Sequence, residues 1–141
     1  MKIKICGITE IETLNFLIEN GVDYVGFIFH ENSPRNVTHA FINEIKNRDF
    51  QKTRPVCVFA NPKKSFVSSS LSYFENPIIQ FHGDESEDFC KLFDCKFWKA
   101  LRIKDSKSLE DMKHFKNAEA ILCDTYKAVS YTHLTLPTKE E

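Results

Sequence analysis

The sequence predicts an α/β fold made of successive βαβ units around a parallel sheet. Six short runs are rich in β-branched or aromatic residues and almost continuously apolar, as expected for strands covered on both faces. In chain order they are Ile3–Ile8, Tyr24–Phe29, Pro55–Ala60, Pro77–Phe81, Phe97–Ile103 and Ala120–Cys123. Each interval between them is long enough for a crossover helix, which favours right-handed connections between parallel strands.

The five segments between the runs each place apolar side chains on one helical face. They are Glu12–Asn20, Thr38–Asp49, Pro62–Phe74, Ser86–Phe93 and Ser108–Phe115. Gly21 is predicted to end the first helix, and Ser86 and Ser108 to cap the last two. The 13 phenylalanines fall mostly on these faces and on the strands, so we assign them to core packing.

The composition and residue spacing exclude several classes of protein. The 141 residues, predicted to form one domain, include 19 basic and 20 acidic side chains, which offers no basic surface for nucleic acid. No apolar run approaches the roughly 18 residues of a membrane span. Five cysteines without a signal-peptide pattern predict free thiols and a cytoplasmic protein. The cysteines lack CxxC spacing and the histidines lack HxxxH spacing, so we expect no metal site.

Polar side chains at the carboxyl ends of parallel strands are the first candidates for a functional site. Cys6 and Arg102 lie near the ends of the first and fifth strands, and Arg35, His82 and Asp124 follow the second, fourth and sixth. A thiol, a carboxyl group, two guanidinium groups and an imidazole can together support proton transfer on an anionic substrate.

Four of these residues have a structural alternative that the residues alone leave open. Cys6 is either a catalytic thiolate or an inert cysteine in an apolar strand. Asp124 is either a general acid or a loop cap. Arg35 either grips a carboxylate through its planar fork or is a solvated loop charge. His82 is either part of a site or a buried histidine with satisfied hydrogen bonds.

Six motifs lie in order at the ends of the six predicted strands. They are Lys4-Ile-Cys-Gly-Ile-Thr9, Gly26-Phe-Ile-Phe-His-Glu-Asn-Ser-Pro-Arg35, Val56-Cys-Val-Phe-Ala-Asn61, Gln80-Phe-His-Gly-Asp-Glu85, Trp98-Lys-Ala-Leu-Arg102 and Leu122-Cys-Asp-Thr125. Read in order, these motifs resemble those of phosphoribosylanthranilate isomerases. The resemblance implies a (β/α)8 TIM barrel, of which this chain would hold the first five βα units plus strand six. It also implies an Amadori rearrangement of N-(5-phosphoribosyl)anthranilate to 1-(2-carboxyphenylamino)-1-deoxyribulose 5-phosphate in tryptophan biosynthesis. The substrate is then a small phosphorylated molecule, and no cofactor is expected.

The same resemblance implies a role for each candidate residue. Asp124 would be the general acid, which, held protonated, opens the ribose ring by donating to its oxygen. Cys6 would be the general base that removes the C2 proton as a thiolate. Arg35 would hold the anthranilate carboxylate, and His82 and Arg102 would line the same barrel mouth.

The chain departs from the family pattern after its sixth strand. The family binds the substrate phosphate with Gly-rich loops after strands seven and eight, whereas the last glycine here is Gly83. We therefore expect residues 1–127 to form a partial barrel domain, residues 128–141 to be a non-native tail, and the chain alone to have little or no activity. The alternatives are a non-catalytic half-barrel that self-associates through open sheet edges, and another phosphate-handling barrel such as an epimerase or an indole-glycerol-phosphate synthase relative. The latter would not need the Lys4–Thr9 motif.

Overall fold

In the computed structural model, residues 1–125 are described; the predicted tail, 128–141, lies outside them. Strands and helices alternate along the chain. The elements are β1 (Lys4–Cys6), α1 (Ile11–Glu19), β2 (Tyr24–Ile28), α2 (His39–Ile45), β3 (Arg54–Phe59), α3 (Lys64–Leu71), β4 (Ile78–Phe81), α4 (Glu87–Cys90), β5 (Phe97–Ile103), a 3-10 helix (Ser106–His114) and β6 (Ala120–Thr125). All six predicted strands are confirmed, with ends shifted by at most two residues.

The strands form one sheet in the order β1-β2-β3-β4-β5-β6, and each is parallel to its neighbours. A strictly sequential order means that every crossover moves one strand in the same direction. This is the order of a (β/α)8 barrel wall, whereas a doubly wound sheet reverses direction at a switch point. The predicted fold class, five βα units plus a sixth strand, is therefore confirmed.

Alternation along the strands separates two apolar clusters. Val25, Phe27 and their counterparts on the other strands pack against the helices in the larger cluster. Cys6, Ile28 and Trp98 belong to the smaller cluster on the opposite face, which we call the inner face. Because successive side chains of a strand point to opposite faces, every second strand residue faces the inner side. This alternation selects which polar residues can meet there.

The helix ends confirm two of the predicted caps. Gly21 has a φ of 67°. Its N–H donates to Ile18 O and that of Val22 donates to Leu17 O, at 3.0 and 3.2 Å. These two bonds form a Schellman motif, in which glycine accepts the left-handed conformation without steric cost. At α4, the Ser86 hydroxyl accepts from the Phe89 N–H.

The prediction for the last helical segment was wrong in its type and its cap. Residues Ser106–His114 form a 3-10 helix capped by Asp105, and Ser108 completes a capping box with it. No residue of this element is buried, and Leu109 is 46% exposed. Without a buried face, tertiary packing contributes little to α-helical geometry, and the tighter i→i+3 turns persist. The predicted α2, α3 and α4 were also too long, because these helices end at Ile45, Leu71 and Cys90.

Candidate active site

The five predicted site residues all lie at the carboxyl end of the sheet or in the loop that follows β2. Cys6 pairs in register with Gly26, and Arg102 with Asp124. Cys6 contributes to the inner-face cluster, and Asp124 follows Ala120 and Leu122 at alternate positions of β6. The acid and the thiol thus lie on the same face, but on β1 and β6, the two end strands of the described sheet.

Two glycines make room for Cys6 and Arg35. A Cβ at Gly26 would lie 2.6 Å from Cys6 Sγ, and a Cβ at Gly7, which has a φ of +83°, would lie 2.5 Å from Arg35 Nη1. The Cys6 side chain is only 4% exposed. Arg35 Nη1 donates to the Cys6 carbonyl oxygen at 3.2 Å, so its guanidinium lies over Gly7 and next to the strand that carries the thiol.

His82 faces Asp124 across the inner side. His82 Nε2 lies 3.5 Å from Asp124 Oδ2, and the two side chains are 1% and 9% exposed. This separation is within ion-pair range but longer than a well-formed N–H···O hydrogen bond. Asp124 Oδ1 accepts from the Thr125 N–H at 2.8 Å. Burial lowers the pKa of His82 below its ordinary value, and Asp124 offsets only part of that effect. The imidazole is therefore neutral near pH 7.

Two buried residues that carried no predicted role extend this contact to the opposite edge of the sheet. Lys4 Nζ donates to Gln80 Oε1 at 2.6 Å, and Gln80 Nε2 lies 3.3 Å from His82 Nδ1. Lys4 also lies over the Trp98 ring, 5.9 Å from its centroid. The polar chain formed by Lys4, Gln80, His82 and Asp124 therefore runs from β1 through β4 to β6.

Arg102 adds a positive charge next to this chain. It is the register partner of Asp124 and one of the charges that act on His82. Its Nε is buried and makes no hydrogen bond within the part of the chain that the structure describes. A buried guanidinium N–H without a partner is costly, which suits a position where an anionic group binds.

A second polar cluster, also absent from the predicted site, holds the loop after His82. Lys99 Nζ donates to Glu85 Oε1 at 3.0 Å and to Gly83 O at 2.5 Å. Glu85 accepts from the backbone N–H groups of Asn61 and Gly83, at 2.8 and 3.0 Å. We call this set of four residues the loop bracket. It ties the loops that follow β3 and β4 to β5.

One sequence signal could have identified the missed residues. Lys4, Gln80 and Lys99 are polar side chains within otherwise apolar strand runs, and each is buried. Buried lysine is rare unless it is paired. A lysine inside such a run therefore predicts a buried partner, although the run itself does not show which residue that is.

Outside the predicted site, residues 1–125 contain a cavity at the opposite end of the sheet. A cavity of about 590 Å³ lies at the amino end of the strands, lined by Lys46–Pro55 and Tyr73–Asn76, and none of the five predicted site residues borders it. The described residues contain no group of three or more His, Cys, Asp or Glu side chains that could hold a metal ion. None of the helices within these residues has the length and apolarity needed to cross a membrane.

Comparison with known proteins gives a consistent result. Residues 3–132 match the sequence profile of the family described as N-(5'-phosphoribosyl)anthranilate (PRA) isomerase. The isomerase of Geobacter sulfurreducens is 35% identical over 131 residues, which are 93% of this chain and 64% of that protein. The chain thus spans less than two thirds of the length of this relative.

Solved structures agree in fold. The phosphoribosyl anthranilate isomerase of Thermotoga maritima superposes with a TM-score of 0.81 at 27% identity, covering 99% of this chain and 72% of that one. A second isomerase structure, in complex with reduced 1-(o-carboxyphenylamino)-1-deoxyribulose 5-phosphate, gives a TM-score of 0.80 at 28% identity, covering 90% of this chain and 66% of that one. With the profile match over most of its residues, the chain belongs to the N-(5'-phosphoribosyl)anthranilate isomerase family.

Proposed function

We propose that this chain supplies the proton-transfer groups of a PRA isomerase, with Asp124 as general acid and Cys6 as general base. The observation that carries the proposal is that a buried thiol and a carboxyl group whose side chain is only 9% exposed lie on one face at the carboxyl ends of strands in a chain of this family. The reaction is the Amadori rearrangement of N-(5'-phosphoribosyl)anthranilate, a small phosphorylated substrate.

Asp124 suits the ring-opening step. Withdrawal from water favours the neutral, protonated form of a carboxyl group, and the Asp124 side chain is 9% exposed. Donation of its proton to the ribose ring oxygen breaks the C1–O bond and leaves an iminium ion at C1. The His82 imidazole beside Oδ2 then faces the carboxylate that this step produces.

Cys6 suits the second step. As a thiolate it takes the C2 proton, and the electrons of the C–H bond neutralise the iminium to give an enolamine, which tautomerises to the ketone. The ordinary pKa of a thiol is about 8.5, so Cys6 has to be activated to act as a thiolate near neutral pH. Gly26 leaves the space that the sulfur occupies.

Arg35 is the proposed ligand of the anthranilate carboxylate, and His82 and Arg102 line the same site. The bond from Arg35 to the Cys6 carbonyl holds the guanidinium beside the strand that carries the base. A planar guanidinium can form a bidentate pair with a carboxylate and so fix the ring. The relative described above was solved with a ligand that bears both a carboxyphenyl group and a phosphate.

We further propose that residues 1–127 are a partial barrel domain and that the phosphate ligands of the family come from the third of the relatives that this chain does not span. The isolated chain is then expected to turn over slowly or not at all. To test the catalytic roles, residues 1–125 are fused to the corresponding carboxyl-terminal third of the Geobacter sulfurreducens relative, and conversion is followed by chromatography.

We expect the hybrid to isomerise the substrate and Cys6→Ala or Asp124→Asn to lower kcat by about 10²–10⁴-fold, the usual range for a general acid or base. Cys123→Ala, on an exposed cysteine of β6, and Asp111→Asn, on an exposed carboxylate, are the matched controls and should leave kcat unchanged. Full activity in either site variant would refute the assigned role.

Self-association is the second candidate property. Within residues 1–125, β1 and β6 each pair with a single neighbouring strand, and unpaired strand edges can pair with another chain. Size-exclusion chromatography with light scattering over a range of concentrations tests this. A concentration-dependent dimer would support the proposal, and a monomer at every concentration would contradict it.

A further inference from the structure

Lys4 fixes which atoms donate and which accept hydrogen bonds along the polar chain. A lysine ammonium group has three donors and no acceptor. It lies 2.6 Å from the side-chain oxygen of Gln80, so that oxygen must be the acceptor. The Gln80 carboxamide is then oriented with its NH2 group toward His82, which directly follows β4 and also faces the inner side.

The same order of donors and acceptors determines which nitrogen of the His82 imidazole is protonated. Gln80 Nε2 can only donate, and the ring atom that faces it at 3.3 Å is His82 Nδ1. Nδ1 must therefore be the unprotonated nitrogen. In a neutral imidazole the proton is then on Nε2, the atom 3.5 Å from Asp124 Oδ2. Lys4 on β1 thereby sets which nitrogen of His82, the residue directly after β4, carries the proton that faces β6.

The tautomer matters to Asp124. An Nε2–H group faces the carboxylate with a donor and stabilises it once the acid has given up its proton. The other tautomer would present a lone pair, which repels a carboxylate and holds the proton of a neutral acid. Catalytic hydrogen bonds are often long without substrate and shorten in the Michaelis complex, so a contact of 3.5 Å leaves room for this bond to form.

The other charges near His82 do not compete for Nδ1. The groups that act electrostatically on the imidazole are Asp124, Lys4 and Arg102. Asp124 lies on the Nε2 side, and Lys4 is engaged with Gln80. Gln80 and His82 are almost completely buried, so bulk water is kept from Nδ1.

We propose that Lys4 is a positioning residue which, through Gln80, fixes His82 as the Nε2–H tautomer facing Asp124. Its benefit to the acid rests on the proposed function, but the tautomer itself does not. A measurement of the tautomer can therefore fail or succeed independently of any measurement of turnover.

The test is long-range 1H–15N NMR of the histidine rings in the uniformly labelled 141-residue chain. Spectra are recorded at a pH of about 8, above the ordinary imidazole pKa of about 6.5. The His82 signals are identified by their loss in His82→Gln. Backbone spectra of each variant show whether it remains folded.

We expect the unsubstituted chain to show Nε2 protonated and Nδ1 unprotonated. Lys4→Met should give a mixture of tautomers, since the Gln80 amide can then turn over, and Lys4→Arg should restore the single form. Gln80→Glu should reverse the tautomer, because a carboxylate held by Lys4 accepts from Nδ1–H. Lys64→Met, on an exposed lysine, is the control and should change nothing.

Two results would overturn the proposal. One is an Nδ1–H tautomer in the unsubstituted chain, which needs no variant to fold. The other is an unchanged Nε2–H tautomer in folded Lys4→Met or Gln80→Glu, which would show that the imidazole is set by something other than the lysine.

Discussion

Removal of the charge of Lys99 should destabilise the protein more than any surface substitution. Lys99 and Glu85 are each 2% exposed, with 3.0 Å between Nζ and Oε1. At an effective dielectric constant of about 20, unit charges at this distance attract by about 5–6 kcal/mol. Much of that attraction offsets the desolvation of both groups, so the pair itself adds little net stability. The cost appears when one partner is left buried alone.

Lys99→Met leaves the Glu85 carboxylate without its cation. Such a break typically costs about 3–5 kcal/mol. Glu85 keeps the N–H groups of Asn61 and Gly83, so we expect the lower end, about 3 kcal/mol. In urea unfolding followed by far-UV circular dichroism, with an m-value of about 2 kcal/mol/M, the midpoint should fall by about 1.5 M.

The double variant separates a charge effect from a packing effect. Glu85→Gln keeps a side-chain acceptor for the loop N–H groups but removes the charge, so Lys99→Met with Glu85→Gln leaves no buried ion. We expect the double variant to lose less free energy of unfolding than the two single variants lose together, by at least about 1–2 kcal/mol. Lys113→Met, in an exposed pair with Glu110 at 3.6 Å, is the control and should not move the midpoint. Additive losses, or a Lys99→Met midpoint equal to that of the control, would refute this account.

Three further outcomes are expected. Gly26→Ala should lower the urea midpoint, because the new Cβ would lie 2.6 Å from Cys6 Sγ, and overpacking costs about 1–3 kcal/mol. The free energy of unfolding should fall as the pH drops from 7 to 5. The pKa of buried His82 is lowered in the folded chain, so near pH 6.5 the unfolded chain binds a proton that the folded chain does not. His82→Gln should remove this part of the dependence of stability on pH. Iodoacetamide at pH 8 should alkylate exposed Cys123 before Cys90, because burial raises the pKa of the Cys90 thiol to about 12, as read by peptide mass spectrometry.

A specific result would contradict each of these three predictions. Gly26→Ala in a Cys6→Ala background should cost less than in the parent, and an equal cost would place the clash elsewhere. An identical pH slope with and without His82 would show that another group carries it. Alkylation of Cys90 at the same rate as Cys123 in the folded chain would mean that α4, which carries Cys90, detaches from the sheet on the timescale of labelling.

The wall of six parallel strands could be read from the sequence because each strand is a short apolar run and each crossover is long enough for a helix. The strand-end candidates could be listed for the same reason, since parallel strands present their carboxyl ends at one edge. The segment Ser106–His114 could not be assigned correctly, because its apolar spacing fits an α-helix and only the absence of a buried face distinguishes it.

The partners of Lys4 and Lys99 could not be predicted from the sequence, for a different reason. Each lysine contacts a residue far away in sequence, Gln80 in one case and Glu85 in the other. Which face a side chain takes depends on alternation along its strand, but which residue it meets depends on how far the sheet curves. The residues of a single sequence carry no direct signal of that curvature.

The polar chain and the loop bracket hold different parts of His82, so substitutions in the two clusters should have different effects. The loop bracket holds the backbone that follows His82, through both the N–H and the carbonyl of Gly83, while Lys4 and Gln80 orient the imidazole from the inner face. Lys99→Met should therefore lower stability and leave the His82 tautomer as it is, whereas Lys4→Met should change the tautomer even in a well-folded chain. Because one cluster acts on the backbone and the other on ring protonation, each variant serves as the control for the other.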